Sequence, residues 1–96
     1  MDRSAALDIL RASKPILAER FAVETLALFG SVRWDAATSE SDIDVLVAFD
    51  GPATSERYFG VQFYLEDRFG CPVDLVTDKA LRRELRESVE REAVHV

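Results

Sequence analysis

The sequence is poor in the residues that most often carry metal or acid–base chemistry. It has one cysteine, Cys71, and one histidine, His95, in 96 residues. A lone thiol rules out a disulfide framework and a thiolate zinc site. A lone imidazole next to the last residue leaves no basis for a multi-histidine metal site or a histidine-based triad. Long apolar runs are also missing, and the longest fall far short of the ~18 residues that span a bilayer. The first residues, Met1 to Lys14, carry Asp2 and Asp8 and lack the apolar core of a signal peptide. The expected compartment is the cytoplasm, with no membrane association.

Basic residues are outnumbered, 12 against 18 acidic, for a net charge of -6. A phosphate backbone repels such a chain unless its basic groups are segregated or metal ions intervene, so direct nucleic-acid binding is disfavoured. The length fits a single domain over residues 1–96 with one core and one site, and 48% hydrophobic content is enough for that core. What chemistry remains falls to carboxylates, hydroxyls and backbone.

Sequence periodicity predicts the elements. A helix starts near Asp2 or Ser4 and carries Leu7, Ile9, Leu10, Ile16 and Leu17 as apolar positions, with a kink or restart expected at Pro15. Thr25 to Phe29 read as a strand buried on both faces, and Gly30 to Ser41 as turn-rich connection. Ile43 to Phe49 form a β-branched strand ending at the turn Asp50-Gly51-Pro52. A helix is expected from about Ser55 to Phe69, capped by Thr54 or Ser55 and stopped by Gly70. Val73 to Thr77 form a third strand, and Asp78 to Ala93 a last helix striped by Leu81, Leu85 and Val89. Val94 to Val96 form a short strand or a docking tail. The order implies an α/β (α+β) fold, a small sheet with helices around it. The short link between the first two strands favours an antiparallel pair.

One constellation stands out: Gly30-Ser31, ten residues, then Asp42-Ile43-Asp44. Residues two apart on a strand share a face, so Asp42 and Asp44 project together. Carboxylates this close repel unless a cation lies between them. Hard oxygen donors favour Mg2+, or Mn2+, over zinc. Gly30 lets backbone approach a phosphate, and the Ser31 hydroxyl and turn amides can donate to it. Asp74 interrupts the apolar strand Val73-Asp74-Leu75-Val76 and completes a carboxylate triad if that strand pairs with the second. Singly, each feature also reads as a turn, a cap or an exposed strand position; it is the combination that points to a site.

These segments resemble the minimal nucleotidyltransferases (MNT) of the DNA polymerase β superfamily, over essentially the whole chain. The matching stretches are Leu28-Phe29-Gly30-Ser31, Ser41-Asp42-Ile43-Asp44-Val45-Leu46-Val47, Val73-Asp74-Leu75-Val76-Thr77 and Arg91-Glu92-Ala93-Val94. The resemblance implies a mixed sheet flanked by helices. It implies that Asp42 and Asp44 hold two Mg2+ ions, that Asp74 binds the one activating an acceptor hydroxyl, and that Gly30 and Ser31 hold the triphosphate. The implied reaction moves a nucleoside monophosphate, AMP from ATP, onto a hydroxyl such as that of tyrosine and releases pyrophosphate. Members of this family act as antitoxins of HEPN-domain toxins, by binding them in a hetero-oligomer, by adenylylating them, or both. One segment departs from the pattern. The family continues after Gly-Ser with a small or basic residue and then Ala-Arg-Gly or Ala-Lys-Gly, whereas this chain has Val32-Arg33-Trp34-Asp35. Arg33 remains a phosphate-contact candidate, and Asp35 adds negative charge beside it. This departure keeps open a binding module of the same fold that is catalytically weak or inactive.

The remaining residues divide less sharply. Trp34 reads as a stacking residue or a loop side chain tucked on the core, and Cys71 as a small hydrophobe. Tyr58, Phe59, Phe63 and Tyr64 span more than one helix face, so some belong to the core and the rest to a surface. Arg82, Arg83 and Arg86 interleave with Glu84 and Glu87 and read as a solvated helix face.

Overall fold

The structure, a computed structural model, describes residues 3–29, 43–81 and 83–96, and only the backbone at positions 85 and 88. Helix α1, Arg3–Phe21, buries Ala6, Leu10, Ser13 and Leu17, a stripe spaced four, three and four residues apart. The restart expected at Pro15 does not occur. Pro15 sits inside one continuous helix, on its exposed side. The missing N–H there frees a carbonyl one turn back on the solvent side, where water can satisfy it, so the helix persists. The candidate cap Asp2 lies outside the described residues.

Ala22 alone joins α1 to β1, Val23–Phe29, and adopts a left-handed φ of 60°. The strands β2, Ile43–Phe49, and β3, Val73–Thr77, fall where the β-branched runs predict. Helix α2, Ser55–Phe69, starts at the Thr54 cap, whose side chain accepts from the Arg57 N–H, and ends at left-handed Gly70. The expected last helix is split: a 3-10 turn at Asp78–Ala80 precedes α3, Arg83–Glu92. Leu81, extended at ψ 129°, interrupts the helical path between them. Val94–His95 form β4.

Among the described residues the sheet order is β3-β2-β1-β4. The pair β1·β2 is antiparallel, as the short connection implies, while β2·β3 is parallel and β1·β4 antiparallel. The sheet is therefore mixed. Both β2→β3 and β3→β4 join strands that run the same way, but the second step heads toward the opposite edge. Helix α2 packs beside α1 on one face of the sheet.

The main core lies between the sheet and the α1/α2 pair. Leu10 and Leu17 of α1, Leu26 and Leu28 of β1, Val45 and Val47 of β2, and Val61 and Leu65 of α2 are fully buried. Each such side chain contributes roughly 1.5–3 kcal/mol through removal from water. The α1/α2 contact is close because Gly60 has no side chain. A Cβ built there would lie 2.3 Å from the Phe21 ring.

Gly60→Ala is therefore expected to destabilise the protein by about 1–3 kcal/mol in urea unfolding, although alanine is the better helix former. In a Phe21→Ala background the same substitution should be neutral or stabilising by up to about 1 kcal/mol. Equal effects in both backgrounds would show that the ring is not the constraint.

Candidate functional site

Alternation along β2 sends Val45 and Val47 to the helical core and turns Asp44, Leu46 and Ala48 to the other face. On β3, Val73 and Leu75 face the core and Asp74 does not. The parallel register places Asp44 directly beside Asp74, on strands about 4.8 Å apart. Across the antiparallel pair, Phe29 is opposite Asp44. Phe29, Asp44 and Asp74 thus form one row at one end of the sheet, on the face away from α1 and α2. Gly30 is the next residue after Phe29 in the chain. The remaining sequence candidates, Gly30, Ser31, Arg33 and Asp42, lie outside the described residues, as do Trp34 and Asp35.

The two aspartates differ in setting. Asp44 is 6% exposed, between strands on either side. Asp74 lies exposed on the outer strand. A buried carboxylate is stable only with compensating partners, and a cation bridging to an exposed neighbour would be one. The donor chemistry fits a hard divalent ion: two carboxylates share one row, one anchored inside and one open to an incoming ligand.

Three backbone groups on the outer edge of β3 are bonded by side chains of α2. Glu66 Oε2 accepts the Val73 N–H at 3.0 Å, Gln62 Nε2 donates to the Val73 carbonyl at 3.3 Å, and Tyr58 Oη donates to the Leu75 carbonyl at 2.5 Å. The sequence reading missed this arrangement, having placed Tyr58 only in an aromatic cluster. The usable signal was polar side chains at i, i+4 and i+8 on a helix feeding an edge strand. The cluster itself divides as expected. Tyr58 and Tyr64 pack against the core, while Phe59 and Phe63 stack on each other, 49% and 63% exposed.

The profile of the "Nucleotidyltransferase domain" family matches residues 10–96. The chain belongs to the nucleotidyltransferase family. It is 38% identical over 90 residues to a Methanocaldococcus jannaschii protein provisionally named a protein adenylyltransferase, covering 93% of this chain and 92% of the relative. It is 38% identical over 88 residues to the protein adenylyltransferase MntA of Thermococcus cleftensis, covering 92% of this chain and 89% of that protein. A solved structure provisionally described as a minimal nucleotidyltransferase superposes with a TM-score of 0.74 at 35% identity, over 98% of this chain and 95% of that one. A chain from the Shewanella oneidensis complex of an MNT antitoxin with its tri-AMPylated HEPN toxin shares the fold, with a TM-score of 0.58 at 21% identity. It spans 96% of this chain and 66% of that one. The nucleotidyltransferase is thus a transferase with a mixed-sheet fold, as the spaced motif implies.

Tyr58 supplies a spectroscopic handle on the row. Its hydroxyl pKa is raised above 10.0, first by burial and then by the negative charge of Asp74. Ultraviolet titration should show Tyr58 ionising at higher pH than a free tyrosine, and Asp74→Asn should bring it part of the way back. Because the folded state holds this proton more tightly, the stabilisation is complete below pH 10 and is lost as pH rises through the folded-state value. A Tyr58 titration unmoved by Asp74→Asn would place the two groups electrostatically apart.

Proposed function

We propose that this nucleotidyltransferase is a Mg2+-dependent protein adenylyltransferase that moves AMP from ATP to a hydroxyl, that of a tyrosine, on a HEPN-domain toxin and thereby neutralises it. The observation that carries the reading is the register of Asp44 beside Asp74 in a chain of this family. The name of the Thermococcus relative supports the protein acceptor. The toxin–antitoxin complexes that share the fold, one with AMP-PNP and one with an AMPylated toxin, support ATP and the HEPN partner. The reading has residues 1–96 act as one domain in the cytoplasm.

In this reading Asp42, Asp44 and Asp74 hold two Mg2+ ions. Bound there, such ions neutralise charge on the attacking and leaving oxygens of an in-line displacement. Asp44, buried, fixes the inner side of the site. Asp74, exposed on the outer strand, faces the acceptor and receives its proton. Gly30, Ser31 and Arg33 orient the triphosphate. The acceptor oxygen bonds to the α-phosphorus, the bond from that phosphorus to the bridging oxygen breaks, and pyrophosphate departs with the electron pair.

Incubation with ATP, Mg2+ and a HEPN-domain partner should add one or more AMP masses to the partner by intact mass spectrometry. Asp44→Asn combined with Asp42→Asn should cut that rate on the order of 10²–10³-fold or more. No adduct and no ATP binding by the unmodified protein would contradict the enzymatic reading. A second reading, neutralisation by binding alone, is favoured by the departure at Val32 to Asp35. It predicts that the double variant still co-purifies with the partner and still neutralises it.

A further inference from the structure

Asp74 is an exposed position on the outer strand, and among the described residues no side chain hydrogen-bonds its carboxylate. Its own backbone faces β2 in the parallel ladder, and the residues on either side turn their backbone groups outward. An outer strand of five residues, Val73–Thr77, frays easily when those groups are left to water. Here they are held. Val73 is bonded at both its N–H, by Glu66, and its carbonyl, by Gln62, while the Leu75 carbonyl takes the Tyr58 hydroxyl. The three side chains occupy successive turns of α2, a helix closed at one end by the Thr54 cap and at the other by Gly70. The bonds bracket Asp74, one residue to either side.

We infer that Tyr58, Gln62 and Glu66 are positioning residues: through the backbone of β3 they set the place of the Asp74 carboxylate relative to Asp44. The inference rests on the reading of Asp74 as a site carboxylate. Burial of Val73 and Leu75, each 3% exposed, already selects the register. What the three bonds add is the rotation and lateral placement of the strand, to which a reacting or coordinating group is sensitive. Misplacement by about 1 Å can cost on the order of a hundredfold in rate. Glu66 matters most, because its carboxylate supplies the acceptor for the Val73 N–H.

The test uses the full chain and two readouts, Mn2+ affinity by electron paramagnetic resonance and adduct formation with the partner. Glu66→Leu removes the acceptor, Glu66→Gln keeps one through its amide oxygen, and Tyr58→Phe removes only the hydroxyl. Glu19→Gly serves as the control: exposed on α1, it lowers stability without touching α2 or β3. Glu66→Leu and Tyr58→Phe are expected to weaken Mn2+ binding several-fold and to lower kcat about tenfold, with KM for ATP little changed. Glu66→Gln should recover most of both losses, and Glu19→Gly should alter neither. If Glu66→Leu fails to fold, Tyr58→Phe decides alone. Wild-type Mn2+ affinity in that variant, or equal losses in Glu19→Gly, would overturn the inference. If the unmodified protein forms no adduct yet the Mn2+ differences appear, the positioning stands and the transfer reading fails.

Discussion

The parallel pairing of β2 with β3 is the constraint on which the rest depends. It sets Asp44 against Asp74, two like charges that a folding chain would ordinarily separate. Val45, Val47, Val73 and Leu75 turn into the α1/α2 core, and the two-residue period then forces the aspartates to the opposite face. The apolar half of each strand therefore dictates where the charged half goes. A one-residue slip would bury Asp74 under α2 and expose Leu75, so hydrophobic burial enforces the carboxylate row.

The crossovers follow from the same strand order. The helix between β2 and β3 covers the face that needs apolar cover. The chain after β3 brings β4 to the far edge, where it pairs at Ala27 and Leu28. Val96 then donates its N–H to the Leu26 carbonyl and accepts from Lys14 Nζ at 2.7 Å. The end of the described chain is thus tied to both sheet and first helix. A net charge of -6 would disfavour phosphate chemistry if charges simply summed. Concentrating carboxylates in one row instead makes part of that acidity a reason for a cation, and through it phosphate, to bind.

Much of the fold was legible, for identifiable reasons. The bounds of β2, β3 and α2 follow from β-branched runs and from Thr54 and Gly70, signals local to a few residues. The antiparallel first pair followed from loop length. Pro15 misled because propensity takes no account of which face of a helix meets water. The split at Leu81 and the function of Gly60 depend on tertiary packing that no local window contains. Of the site, the pairing of Asp44 with Asp74 was legible as a consequence of strand adjacency. The α2 side chains on the edge of β3 were not, since Glu66 and Val73 meet only once the crossover has folded.

The most direct measurement is the anomalous scattering of Mn2+ in crystals of the protein grown with a non-hydrolysable ATP analogue. A Mn2+ peak is expected within about 2–2.5 Å of carboxylate oxygens from both Asp44 and Asp74. Mn2+ bound elsewhere with the analogue in place, or an analogue seated away from this row, would contradict it.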